Sequence, residues 1–236
     1  MYNKIKKGNI LKIFAVSDIH GYAGLLKEAL ENAGYDPSDE DHLLVCCGDI
    51  FDRGPENAEV LRFFERTERK VMIKGNHEER LLEILMTGRL KEHDISNGTT
   101  DTIREFFGKY AVMDINEPVD FSGKTGTVDR ICDLIGEMRD YYETKHYIFL
   151  HGWLPNENGK ILSNWRGADE KYWSVGRWTR WIKGCVMPGN NESKTIVCGH
   201  YRTPGTDIFK SDVFIAIDAG TDTSKKVNVL VLEDEE

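Results

Sequence analysis

The chain has 236 residues, with 31 Lys and Arg against 40 Asp and Glu, a formal net charge of −9. Apolar residues make up 40% and charged residues 30%. That is enough to bury a core, and it excludes a disordered, a collagen-like and a coiled-coil chain. The acidic balance also argues against sequence-independent nucleic-acid binding, which needs a basic face.

In chain order, Lys4, Lys6 and Lys7 precede the apolar run Ile10–Val16, an arrangement that superficially resembles a signal peptide. Lys12 and Asp18 interrupt it and no small-residue cleavage site follows, so the segment reads as a buried strand. Leu25–Ala33 reads as a helix ended by Gly34, Leu43–Cys47 as a strand, and Glu56–Arg66 as a helix. Lys70–Ile73 is a third strand, and Glu78–Met86 a helix ended by Gly88. This βαβαβα start predicts an α/β fold with buried strands and flanking helices. The stretch from about Asp94 to Lys145 is polar and helical without a clear strand, and reads as a cap or insertion within a single domain spanning 1–236. Tyr147–Leu150, Ile196–Cys198, Val213–Ile217 and Val227–Leu232 are the remaining strands. Between them, Trp153–Pro188 reads as irregular and carries all five tryptophans. No apolar run approaches the roughly 18 residues of a membrane span. The five cysteines are odd in number, lack metal-ligand spacing and mostly sit in apolar runs, so they read as buried thiols of a cytoplasmic protein.

Polar residues cluster where the strands end. The segments are Ser17-Asp18-Ile19-His20-Gly21, Gly48-Asp49-Ile50-Phe51-Asp52-Arg53-Gly54, Lys74-Gly75-Asn76-His77-Glu78, His151-Gly152 and Gly199-His200. Ligand sites of α/β sheets form at the carboxyl ends of strands. Asp18, His20, Asp49, Asn76, His151 and His200 offer oxygen and nitrogen donors without sulfur, a set suited to manganese, iron or zinc. Six donors exceed what one catalytic ion with open positions needs; they suit two ions about 3.5–4 Å apart sharing one carboxylate. Taken singly, Asp-x-His is a weak signal, Asn76 could simply cap a helix, and either late histidine could be structural. The ordered combination carries the argument.

These motifs, SDIHG, GDIFDRG, KGNHEE, LHG and CGH, resemble the calcineurin-like metallophosphoesterases, and within them the phosphoprotein phosphatase branch of bacterial and phage serine/threonine phosphatases and symmetrical diadenosine tetraphosphatases. The resemblance extends from about Leu11 to Leu232 and includes an echo of the substrate loop in ISNGTTDTIREF and of the closing strand at Ile215–Gly220. It implies a β-sandwich flanked by helices with a dimetal site along one edge. By motif position, Asp18 and His20 would bind one metal, Asp49 would bridge, and Asn76, His151 and His200 would complete the second site. Arg53 would hold the phosphate. His77 would be the general acid, oriented by Asp52. For the second phosphate-binding arginine, Arg166, Arg177 and Arg180 compete, and Trp178-Thr179-Arg180 favours Arg180. Two departures bear on the substrate: Trp153 stands where a small residue is expected and would narrow the pocket, and Tyr201 replaces an expected Thr.

The implied chemistry is one-step phosphoester hydrolysis by a hydroxide bridging two divalent ions, manganese first, with a phosphoprotein or a small phosphorylated molecule as substrate. Three readings remain open at this point: a serine/threonine phosphoprotein phosphatase, a dinucleoside polyphosphate or other small phosphoester hydrolase, and a non-catalytic metal-binding regulatory protein. The last would be expected to lack His77, Asp52 or a metal ligand, and all are present. The tryptophans between Trp165 and Trp181 could stack a base or simply pack a cap.

Overall fold

The structure is a computed structural model and describes residues 10–179, 192–203, 205–211 and 213–235. In chain order, β1 (Ile10–Val16), α1 (Ala23–Asn32), β2 (His42–Cys46), α2 (Asn57–Arg66), β3 (Lys70–Met72) and α3 (Asn76–Thr87) form the predicted alternation. Helices α4 (Glu92–Ser96), α5 (Thr99–Phe107) and α6 (Thr125–Gly136) follow, then β4 (Tyr141–Glu143), β5 (Tyr147–Leu150), a hairpin of β6 (Asn156–Glu157) and β7 (Lys160–Ile161), and α7 (Glu170–Trp178). The chain closes through β8 (Thr195–Cys198), β9 (Phe209–Lys210), β10 (Phe214–Ala216), α8 (Thr221–Ser224) and β11 (Leu230–Glu235).

Two sheets result, ordered β11-β1-β2-β3 and β4-β5-β8-β10-β9. Strands β1, β2 and β3 run parallel in the first, and β5, β8 and β10 run parallel in the second. Side-chain alternation along each strand explains the layering. Leu11, Ile13, Ala15, Leu43, Val45 and Cys47 face inward and meet Phe149, Val197, Ile215 and Ile217 of the second sheet. The alternate residues Phe14, Val16, Leu44 and Cys46 face outward onto α1, α2, α3 and α6 through Leu26, Val60, Phe64, Leu81 and Leu134. On the far side, Ile148, Leu150, Ile196, Cys198 and Phe214 are covered by Trp153, Trp165 and Trp173. Strands β1, β2, β5, β8 and β10 are therefore covered on both faces, which is why they read as continuous apolar runs.

The described part of the 153–188 stretch, residues 153–179, holds a hairpin and α7 where the sequence reads as irregular, and the polar middle segment ends in a strand, β4. Trp165 and Trp173 are core residues stacked around Tyr141. Trp153 is buried against Phe214, so it packs beneath the second sheet and does not narrow a pocket. None of the helices among the described residues is long and apolar enough to cross a membrane.

Candidate active site

The parallel strands of both sheets point their carboxyl ends at one edge of the sandwich. The loop after β1 brings Asp18 and His20, the loop after β2 brings Asp49, Asp52 and Arg53, and the start of α3 brings Asn76 and His77. His151 follows β5 and His200 follows β8. Apart from Arg53, each of these side chains is buried. Arg180 lies outside the described residues.

The backbone at this edge is unusual. Nine described non-glycine residues have positive φ, and six of them are Asp18, His20, Asp49, Asp52, Arg53 and His200. The left-handed region costs an L-residue roughly 1–2 kcal/mol, and such strain concentrates at functional sites. Gly199 permits the close approach of the two sheets here, since a Cβ at that position would lie 1.8 Å from Ser17 Oγ and 2.4 Å from Asp18 Oδ2.

Asp49 Oδ2 is the geometric centre, 3.3 Å from His151 Nε2 and 3.9 Å from both His20 Nε2 and His77 Nε2. His151 donates its Nδ1–H to the Cys47 carbonyl (2.7 Å). Its Nε2 then presents a lone pair toward Asn76 Oδ1 (2.9 Å), His200 Nδ1 (3.2 Å) and Asp49 Oδ2. Four electron-pair donors crowded at these distances repel one another unless a proton or a cation sits among them. His20 likewise donates Nδ1–H to the Phe51 carbonyl (2.9 Å), leaving Nε2 buried without a hydrogen-bond partner, 3.8 Å from Asp18 Oδ1. Orientation of the ring through the remote nitrogen is how proteins aim a metal-binding imidazole. Burial, with help from His77 and Arg53, holds the His20 pKa well below its usual value, so the ring is neutral and its lone pair available. At His151 burial acts downward, but the Asp49 and Asp18 carboxylates outweigh it and push the pKa up to about 10. The buried carboxylates thus demand positive charge, and the donor set fits two divalent cations.

Beside this cluster, His77 Nδ1 lies 2.6 Å from Asp52 Oδ2, and its Nε2 lies 3.3 Å from Arg53 Nη2. Burial lowers the His77 pKa, and Asp49 and Asp52 together more than reverse it, so the net shift is upward. A cavity of about 350 Å³ opens over Asp18, Asp49, Arg53, His77, His200, Tyr201, Arg202 and Asp218.

The family model for the calcineurin-like phosphoesterases matches residues 11–220. The chain belongs to this family. Among curated relatives of this phosphoesterase, serine/threonine-protein phosphatase 2 of Escherichia coli is 26% identical over 233 residues, covering 96% of this chain and 95% of that protein. A symmetrical bis(5'-nucleosyl)-tetraphosphatase of Pseudomonas putida is 25% identical over 197 residues, 77% of this chain and 67% of that one. The structure of a protein serine/threonine phosphatase from Saccharomyces cerevisiae superposes with a TM-score of 0.61 at 12% identity, over 96% of this chain and 80% of that chain, and so shares the fold.

Several residues that shape this phosphoesterase site escape a reading of the sequence. Glu78, which looks like a first-turn helix acid, is fully buried and accepts the backbone N–H groups of Asp49, Ile50 and Gly75 (2.8–2.9 Å). Thr99 and Thr102 donate to the two Asp52 oxygens at 2.7 Å each; the NGTT segment was the signal for them. Asp218 follows β10 as the other acids follow their strands, and burial plus the Asp18 charge raise its pKa to about 8. Of the competing arginines, Arg166 is paired with Glu143 and Glu192. Arg177 is buried in a cage of Glu79, Asp140 and Glu170. Neither lines the cavity.

Proposed function

We propose that the chain is a serine/threonine phosphoprotein phosphatase that works with two manganese ions. The observation that carries this reading is the Asp52–His77 pair, set with Arg53 at the edge of the buried Asp49 cluster. The end-to-end similarity to the Escherichia coli phosphatase supports the choice of substrate class. In this reading Asp18 and His20 would hold one ion, Asn76, His151 and His200 the other, and Asp49 both. Oxygen and imidazole donors without sulfur suit manganese, with iron or zinc as the other fits. Bound there, the ions would supply Lewis-acid charge and a water of lowered pKa.

The chain's own groups do the rest. Arg53 donates its guanidinium N–H groups to the phosphoryl oxygens and holds the phosphorus over the cluster. As the bond between phosphorus and the seryl oxygen breaks, that oxygen takes the proton from His77 Nε2. Asp52 accepts the Nδ1–H of the same ring and stabilises its charged form, while Thr99 and Thr102 keep Asp52 from rotating away. The free, buried thiols of Cys46, Cys47 and Cys198 suit the reducing cytoplasm, where we place the protein.

A dinucleoside tetraphosphatase is the second reading, favoured by the Pseudomonas putida relative. It is weakened in part by Trp165 and Trp173, which are consumed in the core and offer no face to a base, whereas Trp178 keeps an exposed face and Trp181 lies outside the described residues. Purified protein with added Mn²⁺ should be assayed on a phosphoserine peptide, p-nitrophenyl phosphate and diadenosine tetraphosphate. A kcat/KM at least about tenfold higher on the peptide than on the dinucleotide is expected; the reverse ratio would give the site to the second reading.

A further inference from the structure

We propose that Arg202 is a further cationic arm of the active site, additional to the arginines named from the sequence and gripping the same substrate phosphoryl group as Arg53, and that the Asp222 carboxylate stands in for that anion in the free protein. The proposal rests on the phosphoester reading of the site.

Arg202 follows His200 by two residues and lines the cavity opposite His77 and Arg53 in sequence origin, arriving from the second sheet while they arrive from the first. One oxygen of Asp222, Oδ1, is 2.6 Å from Arg202 Nη2 and 3.9 Å from Arg53 Nη1. Two guanidinium groups therefore converge on a single anionic oxygen at the rim of the pocket. A tetrahedral phosphoryl group offers three such oxygens, and guanidinium forks match them two at a time. Among the described residues, Arg53 and Arg202 are the arginines that line this cavity. Arg166 and Arg177 are held elsewhere by carboxylates, and Arg180 lies outside the described residues.

The local fold is built to hold Arg202 there. Thr203 donates its backbone N–H to the Asp218 carbonyl (3.1 Å), with its hydroxyl 3.3 Å from the same oxygen, lacing the Arg202 loop to the segment that carries Asp222. The Arg202 side chain then runs over Gly220, where a Cβ would stand 3.3 Å from its Cδ and 3.5 Å from its Nε. Gly220 has φ +64°, so a side chain there is disfavoured twice, by conformation and by contact. Arg202 keeps nearly half its side chain exposed, as a group that must exchange one anion for another requires.

Two variants separate this role from that of an ordinary surface ion pair, because they should act in opposite directions. Arg202→Ala removes the arm; Asp222→Asn removes the competitor. The measurement is the dissociation constant of inorganic phosphate, by calorimetry on Mn²⁺-loaded protein, together with kcat and KM on p-nitrophenyl phosphate. Loss of one charge-assisted contact should weaken phosphate roughly tenfold in Arg202→Ala and raise KM by more than it lowers kcat. Asp222→Asn should tighten phosphate and lower KM, by about threefold. Arg202→Lys, which keeps the charge and loses the fork, should fall between wild type and Arg202→Ala. If Arg202→Ala leaves phosphate affinity unchanged, or if both variants shift it the same way, the pair is structural and the proposal is overturned. If wild-type protein itself neither binds phosphate nor hydrolyses p-nitrophenyl phosphate, the phosphoester reading falls and takes the proposal with it.

Discussion

His77 and Asp52 meet at 2.6 Å in a place where both carboxylate oxygens of Asp52 are already committed, one to Thr99 and one to Thr102. The carboxylate cannot turn without breaking a hydrogen bond, and so the imidazole cannot turn either. An acid fixed this firmly should show its effect in the leaving group. General acid catalysis contributes about 10²–10⁴-fold. His77→Asn should lose much more rate on phenyl phosphate or a phosphoserine peptide than on p-nitrophenyl phosphate, whose leaving group departs without a proton. Asp52→Asn should show the same pattern more weakly, and Thr99→Val with Thr102→Val more weakly still. Equal losses on good and poor leaving groups would remove the acid role; loss of bound metal in His77→Asn would make it a ligand.

Asp49 offers one oxygen toward imidazoles on both sides of the site, and its backbone is pinned by Glu78. Elemental analysis of reconstituted wild type should approach two transition ions per chain, the number proposed for the six donors. Asp49→Asn should reduce both occupancies together. Glu78→Gln, which touches none of the donor atoms, should still weaken metal binding by about 10- to 100-fold, since it puts an amide N–H among three backbone donors. Full occupancy in Asp49→Asn would argue against the shared carboxylate.

Arg177 and Arg166 carry the same charge but differ in what their removal should do. Arg177 is buried among Glu79 of α3, Asp140 before β4 and Glu170 of α7. The three carboxylates keep about a third or more of their side-chain surface in solvent, so the loss is that of charge-assisted hydrogen bonds and packing, roughly 1.5–3 kcal/mol. Arg177→Ala should therefore show a large loss in urea stability, whereas Arg166→Ala, at an exposed pair, should lose no more than about 1 kcal/mol. Neither should change phosphate affinity in protein that remains folded. A selective rise in KM in either variant would return that arginine to the substrate.

Acid stability should depend on Asp94. Burial would raise its pKa, but the Arg80 guanidinium and the Lys91 backbone N–H hold it below the usual carboxylate value. A depressed pKa in the folded state stabilises the fold fully above the unfolded value of about 3.9 and loses that contribution as pH falls toward the folded value. The urea midpoint of wild type should drop below about pH 4. In Asp94→Asn it should start lower at pH 7 and fall less steeply across that window.

Most of the strands that carry the site were legible because they are buried on both faces and run into a donor residue near a glycine; β3 is only partly buried. Asp18, Asp49, Asn76, His151 and His200 could be found that way, since the pattern is local. What resisted reading is what long-range packing decides. The strand Tyr141–Glu143 sits at a sheet edge and is three residues long, too short to show a period. Helix α7 hides because Trp173 covers a sheet while Trp178 stays exposed, and because its arginine turns inward to Glu79 and Asp140 from distant segments as well as to Glu170 of its own helix. Glu78 looks like any first-turn glutamate until the β2 loop is folded onto it. Trp153 sits next to a metal-site motif, yet the strand alternation sends it to the opposite side of the sheet from the pocket.

The left-handed backbone at Asp18, His20, Asp49, Asp52, Arg53 and His200 sets the interests of the fold against those of the chemistry. Glycine at any of these positions relieves a conformational cost of roughly 1 kcal/mol and removes a group the reaction needs. Random variants screened only for heat resistance should thus drift toward glycine or asparagine along this edge, becoming hardier as they fall silent. Directed evolution of a sturdier catalyst from this chain has to select for turnover in every round and look for its gains at the helices and the far face of the second sheet.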